Sequence, residues 1–195
     1  MKKILFIIMI CLFLLGCETF TRKNIDGNYL TGQHNIEIKV KNYGIIKATL
    51  DADTAPITVT NFIELVNSGF YNNLTFHRII KGFMIQGGDP EANGTGGSDK
   101  TIKGEFLANG VENNISHVRG TISMARADDY NSGSSQFFIM HEDDTDLDNY
   151  YAAFGKVTEG MEVVDKICKD AKPTDDNGTI PISKQPVIEY IKIVE

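Results

Sequence analysis

The strongest constraint on the fold of this 195-residue chain is a succession of short strand-like runs interrupted by only two helical patterns. Asn35 to Val40 alternates with Ile36, Ile38 and Val40 on one side, and Gly44 to Leu50 does the same after the turn Asn42-Tyr43-Gly44, which is a hairpin signal. Further strand-like runs follow at Leu74 to Ile80, Phe83 to Gln86, Val118 to Ala125, Gln136 to Met140, Phe154 to Val157 and Val187 to Val194. One helix is expected from Pro56, a first-turn proline that Asp53 or Thr54 can cap, with Val59, Phe62, Ile63 and Val66 at helical spacing. A second is expected from Met161 to Cys168. Many short strands with two helices predict a mainly β fold, an antiparallel barrel or sandwich, and argue against a parallel α/β sheet.

Within this frame the segment Phe76 to Asp89, FHRIIKGFMIQGGD, carries the most chemistry. Period-two alternation through Leu74, Phe76, Arg78 and Ile80 predicts that Arg78 shares a face with apolar side chains. Phe83 to Gln86 is apolar and ends in an amide, and Gly87-Gly88 then ends the strand and lets backbone approach backbone. A guanidinium beside Phe, Met and Gln, with no nucleophile in the stretch, points to recognition of a neutral polar group in an apolar pocket. A surface ion-pair role for Arg78 is the plainer alternative.

The N-terminus has the layout of a secretory signal: Lys2-Lys3, then apolar residues from Ile4 to Leu15, a run too short to span a bilayer comfortably. Leu14-Leu15-Gly16-Cys17 resembles the bacterial lipobox, which implies removal of residues 1–16 and a diacylated, N-acylated Cys17 that anchors the protein to a membrane of the bacterial cell envelope. The mature chain would hold 17 basic and 26 acidic residues, a net charge of −9, which argues against nucleic acid and against electrostatic adsorption to anionic lipid. With Cys11 removed and Cys17 lipidated, Cys168 stands alone and no intrachain disulfide is expected. Residues 17–33 read as a flexible tether and residues 34–195 as one exported domain.

Other chemistries find no support in the spacing. The histidines at 34, 77, 117 and 141 lack metal-ligand spacing. Aligning Asp144, Asp146 and Asp148 with a calcium loop puts Asn149 where Gly belongs and Gly155 where Glu belongs, so residues 143–148 read as a solvated acidic loop. Gly94-Thr95-Gly96-Gly97 lacks the Lys-Ser/Thr ending of a phosphate loop, and Ser132, Ser134 and Ser135 lack a nucleophile elbow.

The segments FHRIIKGFMIQGGD, GTISMARA (120–127), SGSSQFFI (132–139) and FGKVTEGMEVVDKI (154–167) together resemble the cyclophilin-type peptidyl-prolyl cis-trans isomerases, collinearly from about His34 to Glu195. The resemblance implies a closed eight-stranded antiparallel β-barrel capped by two α-helices, with the site on the barrel's outer face. It implies Arg78 as the catalytic residue and Phe83, Met84, Phe138 and Leu147 as the proline pocket. Gln86, Gln136 and the backbone of Ala125 are then the groups that hydrogen-bond substrate, and His77 contacts it. Tyr151 aligns with a rim histidine, and Asp146 with the rim tryptophan that contributes to cyclosporin binding. Arg126 stands where many members have Asn, at a position contributing main-chain contacts. A donor aimed at the prolyl nitrogen favours the twisted amide, in which the lone pair is localised, so neither metal nor cofactor is required. The expected partners are proline-containing polypeptides, handled by a monomer that assists folding of exported proteins. The alternative is a proline-peptide-binding or adhesin module at the cell surface with incidental catalysis.

Overall fold

The computed structural model describes residues 28–194; the expected signal segment, Cys17 and the tether up to residue 27 lie outside the described residues. Eight strands form one sheet: β1 (Gln33–Val40), β2 (Gly44–Asp51), β3 (Phe76–Ile80), β4 (Met84–Gly87), β5 (Thr121–Met124), β6 (Phe137–Met140), β7 (Ala152–Glu159) and β8 (Ile188–Val194). Helix α1 (Pro56–Asn67) lies between β2 and β3, and α2 (Met161–Asp170) between β7 and β8. The order across the sheet is β3-β4-β6-β5-β7-β2-β1-β8, and every neighbouring pair is antiparallel.

The two edges of this sheet meet at a short seam. Thr75 and Val187 form an isolated antiparallel bridge, Phe76 N donates to Pro186 O at 3.0 Å, and Ile188 N donates to Leu74 O at 2.8 Å. The expected closed barrel is therefore an eight-stranded antiparallel sheet joined by a few bonds beside β3 and β8 instead of by a continuous ladder.

Side-chain alternation fills the interior. Ile36, Ile38 and Val40 from β1, with Ile46, Ala48 and Leu50 from β2, are all essentially inaccessible to solvent. Phe62 of α1 enters this core, with ring centroids 4.9 Å from Tyr71, 5.3 Å from Phe137 and 5.2 Å from Phe154. Complete burial of such a ring stabilises the fold by about 2–3 kcal/mol. Helix α2 packs Val163, Val164, Ile167 and Cys168 inward. The Cys168 thiol is buried and unbonded, and loss of hydration pushes its pKa up to about 12.

Two sequence expectations change. The helix α1 N-terminus is capped neither by Asp53 nor by Thr54: Ala55 occupies the cap position, and the carboxylate of Glu105, wholly buried, accepts from Ile57 N at 3.0 Å, Thr58 N at 2.8 Å and Thr58 Oγ1 at 2.7 Å. A negative charge at a helix N-terminus is favourable, and here it comes from a residue remote in sequence. The tether also ends earlier than residue 33. Tyr29 and Leu30 pack against the core, Leu30 N donates to Thr60 Oγ1 at 2.9 Å, and Gly32 N donates to Asp53 Oδ1 at 2.8 Å.

Candidate active site

A bulge in β3 creates the site. Phe76 pairs with Gly87, yet Arg78 pairs with the adjacent Gln86, so two residues of β3 oppose one of β4. The extra residue reverses the parity of the strand. Phe76 and Ile79 point into the barrel, 0% and 1% exposed, whereas Arg78 and Ile80 lie on the outer face. The alternation read from the sequence therefore fails at this point: Arg78 does not share a face with Phe76. It lines a groove with a second apolar cluster outside the barrel, made of Met84, Ala125, Phe138 and Met140 with Ile80, Phe83, Leu147 and Tyr151 against it. Ladder register supplies these neighbours, since Met84 opposes Met140 and Gln86 opposes Phe138.

The cluster floors a groove of about 440 Å³. His77, Arg78, Phe83, Met84, Gln86, Ala125, Phe138, Leu147 and Tyr151 all line it. Gln136 lines an adjoining groove of about 330 Å³ that shares Gln86, Gly94, Thr95, Ala125 and Arg126 with the first. Sequence reasoning did not find Asn93, Gly94, Thr95, Asn177 and Thr179, which reach the main groove from two distant loops. Nothing in their local pattern distinguishes them from ordinary turn residues.

Arg78 is held at two points: Nε donates to Asn177 O at 2.8 Å and Nη1 to Gln86 Oε1 at 3.1 Å, while its guanidinium carbon lies 5.9 Å from the Phe83 ring centre. Polar contacts continue outward, Gln86 Nε2 to Gln136 Oε1 at 2.8 Å and Gln136 Nε2 to Gly96 O at 2.8 Å. Burial lowers the Arg78 pKa, and Tyr151 and Asp175 oppose that shift; a guanidinium nonetheless remains charged near neutral pH. A fixed cation over an apolar floor is a preorganised donor in a poorly hydrated setting. His77 is 4% exposed, and neither ring nitrogen has a hydrogen-bond partner. Burial lowers its pKa, only partly offset by Asp89, so the ring is neutral.

A second histidine supports the pocket from beneath. His117, fully buried, stacks on Phe138 with centroids 6.0 Å apart. Its Nδ1 lies 2.8 Å from Asp148 Oδ1 and its Nε2 2.9 Å from Ser123 Oγ. Asp148 also accepts from Ser116 Oγ at 2.6 Å and from His117 N at 2.7 Å, so the acidic loop is not merely solvated: one of its carboxylates ties the turn carrying Leu147 to the pocket floor. Partial burial pushes the Asp148 pKa up, but the hydrogen bonds from Ser116 and His117 outweigh it and hold the carboxyl below its usual range. The histidine is a support, since its ring is sealed from the groove by Phe138.

The Arg126 side chain makes contacts of its own beside the groove. Its guanidinium carbon sits 4.7 Å from the Tyr151 ring centre, 4.8 Å from Tyr130 and 5.4 Å from Phe106. Among the described residues no group of three or more His, Cys, Asp or Glu side chains is placed to hold a metal ion.

With this geometry in hand, likeness to known proteins is specific. Residues 35–194 match the family model described as cyclophilin type peptidyl-prolyl cis-trans isomerase/CLD. Peptidyl-prolyl cis-trans isomerase A of Dickeya dadantii is 43% identical over 160 residues, covering 78% of this chain and 80% of that protein. The peptidyl-prolyl cis-trans isomerase of Helicobacter pylori strain 26695 is 46% identical over 128 residues, 65% of this chain and 76% of its own length. A crystal structure of a Cryptosporidium parvum cyclophilin type peptidyl-prolyl cis-trans isomerase superposes with a TM-score of 0.74 at 33% identity, covering 84% of this chain and 99% of that one. The same protein in the presence of the dipeptide Ala-Pro gives 0.72 at 34% identity, covering 83% and 99%. A match across nearly the whole described chain, on a barrel whose outer groove gathers Arg78, Phe83, Gln86 and Phe138, means that this chain belongs to the cyclophilin-type peptidyl-prolyl cis-trans isomerase family.

Proposed function

We propose that this protein is a lipid-anchored isomerase of X-Pro bonds that acts, as a monomer, on proline-containing polypeptides in the bacterial cell envelope. The observation that carries the catalytic part is Arg78, pinned by Asn177 O and Gln86 Oε1 above an apolar floor. A proline ring seated on Phe83, Met84, Phe138 and Leu147 brings the prolyl nitrogen toward the guanidinium. As the amide twists, the nitrogen lone pair localises and accepts from Arg78, a contact weaker in either planar isomer. Gln86, Gln136 and the Ala125 backbone hold the flanking peptide against rotation, so the twist is confined to one bond. Accelerating a step of tens of seconds to milliseconds needs about 5–6 kcal/mol of such selective stabilisation. The Ala-Pro dipeptide present with the Cryptosporidium relative supports a proline-sized occupant.

The anchoring part rests on Leu14-Leu15-Gly16-Cys17 and on the net charge of −9 for the mature chain, which leaves lipid as the means of attachment. Exchange spectroscopy on an X-Pro peptide tests the first part: accelerated cis-trans exchange is expected, and saturable binding without acceleration would favour the peptide-binding or adhesin reading. Fractionation of Cys17→Ser tests the second. The variant is expected to leave the membrane fraction, and an unmodified mature Cys17 in the wild type would refute anchoring.

A further inference from the structure

The charge pattern of the two adjoining grooves differs from that of the whole molecule. The chain carries 26 acidic against 19 basic residues, yet no Asp or Glu lines either groove, and their formal charges come from Arg78 and Arg126. Arg78 is committed to the prolyl site. Arg126 stands on the ridge where the grooves join and lines both.

Its side chain is fixed before any ligand arrives. Nε donates to Tyr150 O at 3.1 Å, and Nη1 donates to Ala127 O at 2.8 Å and to Asp128 O at 3.3 Å. Rings of Tyr151, Tyr130 and Phe106 surround the guanidinium carbon. All three oxygens are neutral carbonyls, no carboxylate pairs with this cation among the described residues, and Nη2 has no hydrogen-bond partner there. Exposed carboxylates stand nearby in sequence, on Asp128 and Asp129 beyond Arg126, on Asp146 beside Leu147, and on Asp175 and Asp176 before Asn177. Asp129 is partly engaged in its own turn, accepting from Asn131 N, and Asp175 accepts from Thr179 N. They weaken the long-range attraction of an anion without occupying the ridge.

We infer that Arg126 is a specificity-determining residue that selects proline segments bearing a carboxylate, Asp or Glu, at the first or second residue from the proline on the side that crosses the 125–126 ridge. A chain whose proline fills the first groove passes that neighbour over Arg126 as it enters the second, where a carboxylate reaches the unpaired Nη2 and a neutral amide forfeits the charge. One partly exposed pair of this kind is worth about a fivefold preference at moderate ionic strength, and more at low salt.

This inference rests on the isomerase reading, and the test separates the two. Peptides with Glu or Gln at each of the two positions on either side of proline are assayed for kcat/KM with the wild-type domain, Arg126→Gln and Arg126→Glu. The expected result is a Glu/Gln ratio of about five at a position on one side, near one in Arg126→Gln and inverted for Arg126→Glu. The ratio is the readout because loss of the aromatic stacking alone alters both peptides equally. Wild-type ratios near one at all four positions would overturn the inference even if neither variant folds, and so would a preference that survives in Arg126→Gln. Failure to isomerise even the Gln peptides would instead overturn the isomerase reading.

Discussion

Replacing Arg78 probes the proposed mechanism most directly, because the structure separates what its charge does from what its shape does. Arg78→Ala removes two hydrogen bonds, to Asn177 O and Gln86 Oε1, and the guanidinium contact with Phe83. For a half-buried side chain these losses amount to about 1–2 kcal/mol of stability, a fall in Tm of roughly 5 °C, which leaves the domain folded. Catalysis should suffer far more, since loss of one preorganised donor to a developing charge costs about 3–4 kcal/mol, on the order of 10²–10³ in rate. Arg78→Lys restores a positive charge but has a single ammonium, which cannot hold Asn177 O and Gln86 Oε1 while also presenting a donor to substrate. It should therefore fall between the two, roughly tenfold or more below wild type. The assay is protease-coupled isomerisation of an X-Pro peptide alongside thermal denaturation of each variant. Wild-type kcat/KM in Arg78→Ala with an unchanged Tm would refute the role of the guanidinium, and full activity in Arg78→Lys would refute the role of its fork.

Position 146 governs a different property: exposed Asp146 stands in the turn beside Leu147, where a Trp would offer an indole donor and apolar area, so cyclosporin should inhibit weakly, by about a hundredfold or more relative to a Trp-bearing member. An inhibition titration of wild type and Asp146→Trp checks this, with tight inhibition of the wild type as the refuting result. Acid should weaken the fold in two stages. Burial depresses the folded-state pKa of His77 and His117 below 6.5, so the unfolded chain binds protons that the folded one does not; their contribution is complete above pH 6.5 and is lost as pH falls below it. Asp148, also depressed, adds stability present above the ordinary carboxylate value that disappears as pH falls through its lower folded value. A Tm that stays flat or rises between pH 7 and pH 5 would contradict this. Gly88→Ala should be among the costliest single-methyl changes, because at φ +85° its Cβ would lie 2.5 Å from Ser135 O; about 3 kcal/mol and a Tm loss of roughly 10 °C are expected in a melting experiment.

The sequence made the strands and helices legible wherever they obey a local period. Ile36, Ile38 and Val40 alternate as written, α1 begins at its proline, and Gly87-Gly88 marks a true close approach, with a Cβ at Gly87 2.7 Å from Thr75 O. What escaped depends on residues far apart in the chain. The bulge at His77–Arg78 is defined by the partner strand, so period-two counting assigned Phe76 and Arg78 to one face. Glu105 caps a helix that begins nearly fifty residues before it. His117 gained its place only when Asp148 and Ser123 met around it, and Asn177 became an arginine acceptor through a loop that local pattern reads as a plain turn.

The short seam of the barrel bears on when this protein can fold. Strand β8 pairs along its length with β1, and the segments just before β3 and β8 join the sheet edges. A chain emerging residue by residue from a ribosome therefore exposes one side of β1 and one edge of the sheet until residues 186–194 are available. Such contacts between distant parts of the chain make the final step slow, and the unpaired edges invite association meanwhile. If the protein is exported as proposed, that delay is an advantage: the incomplete barrel stays threadable until β8 has been delivered.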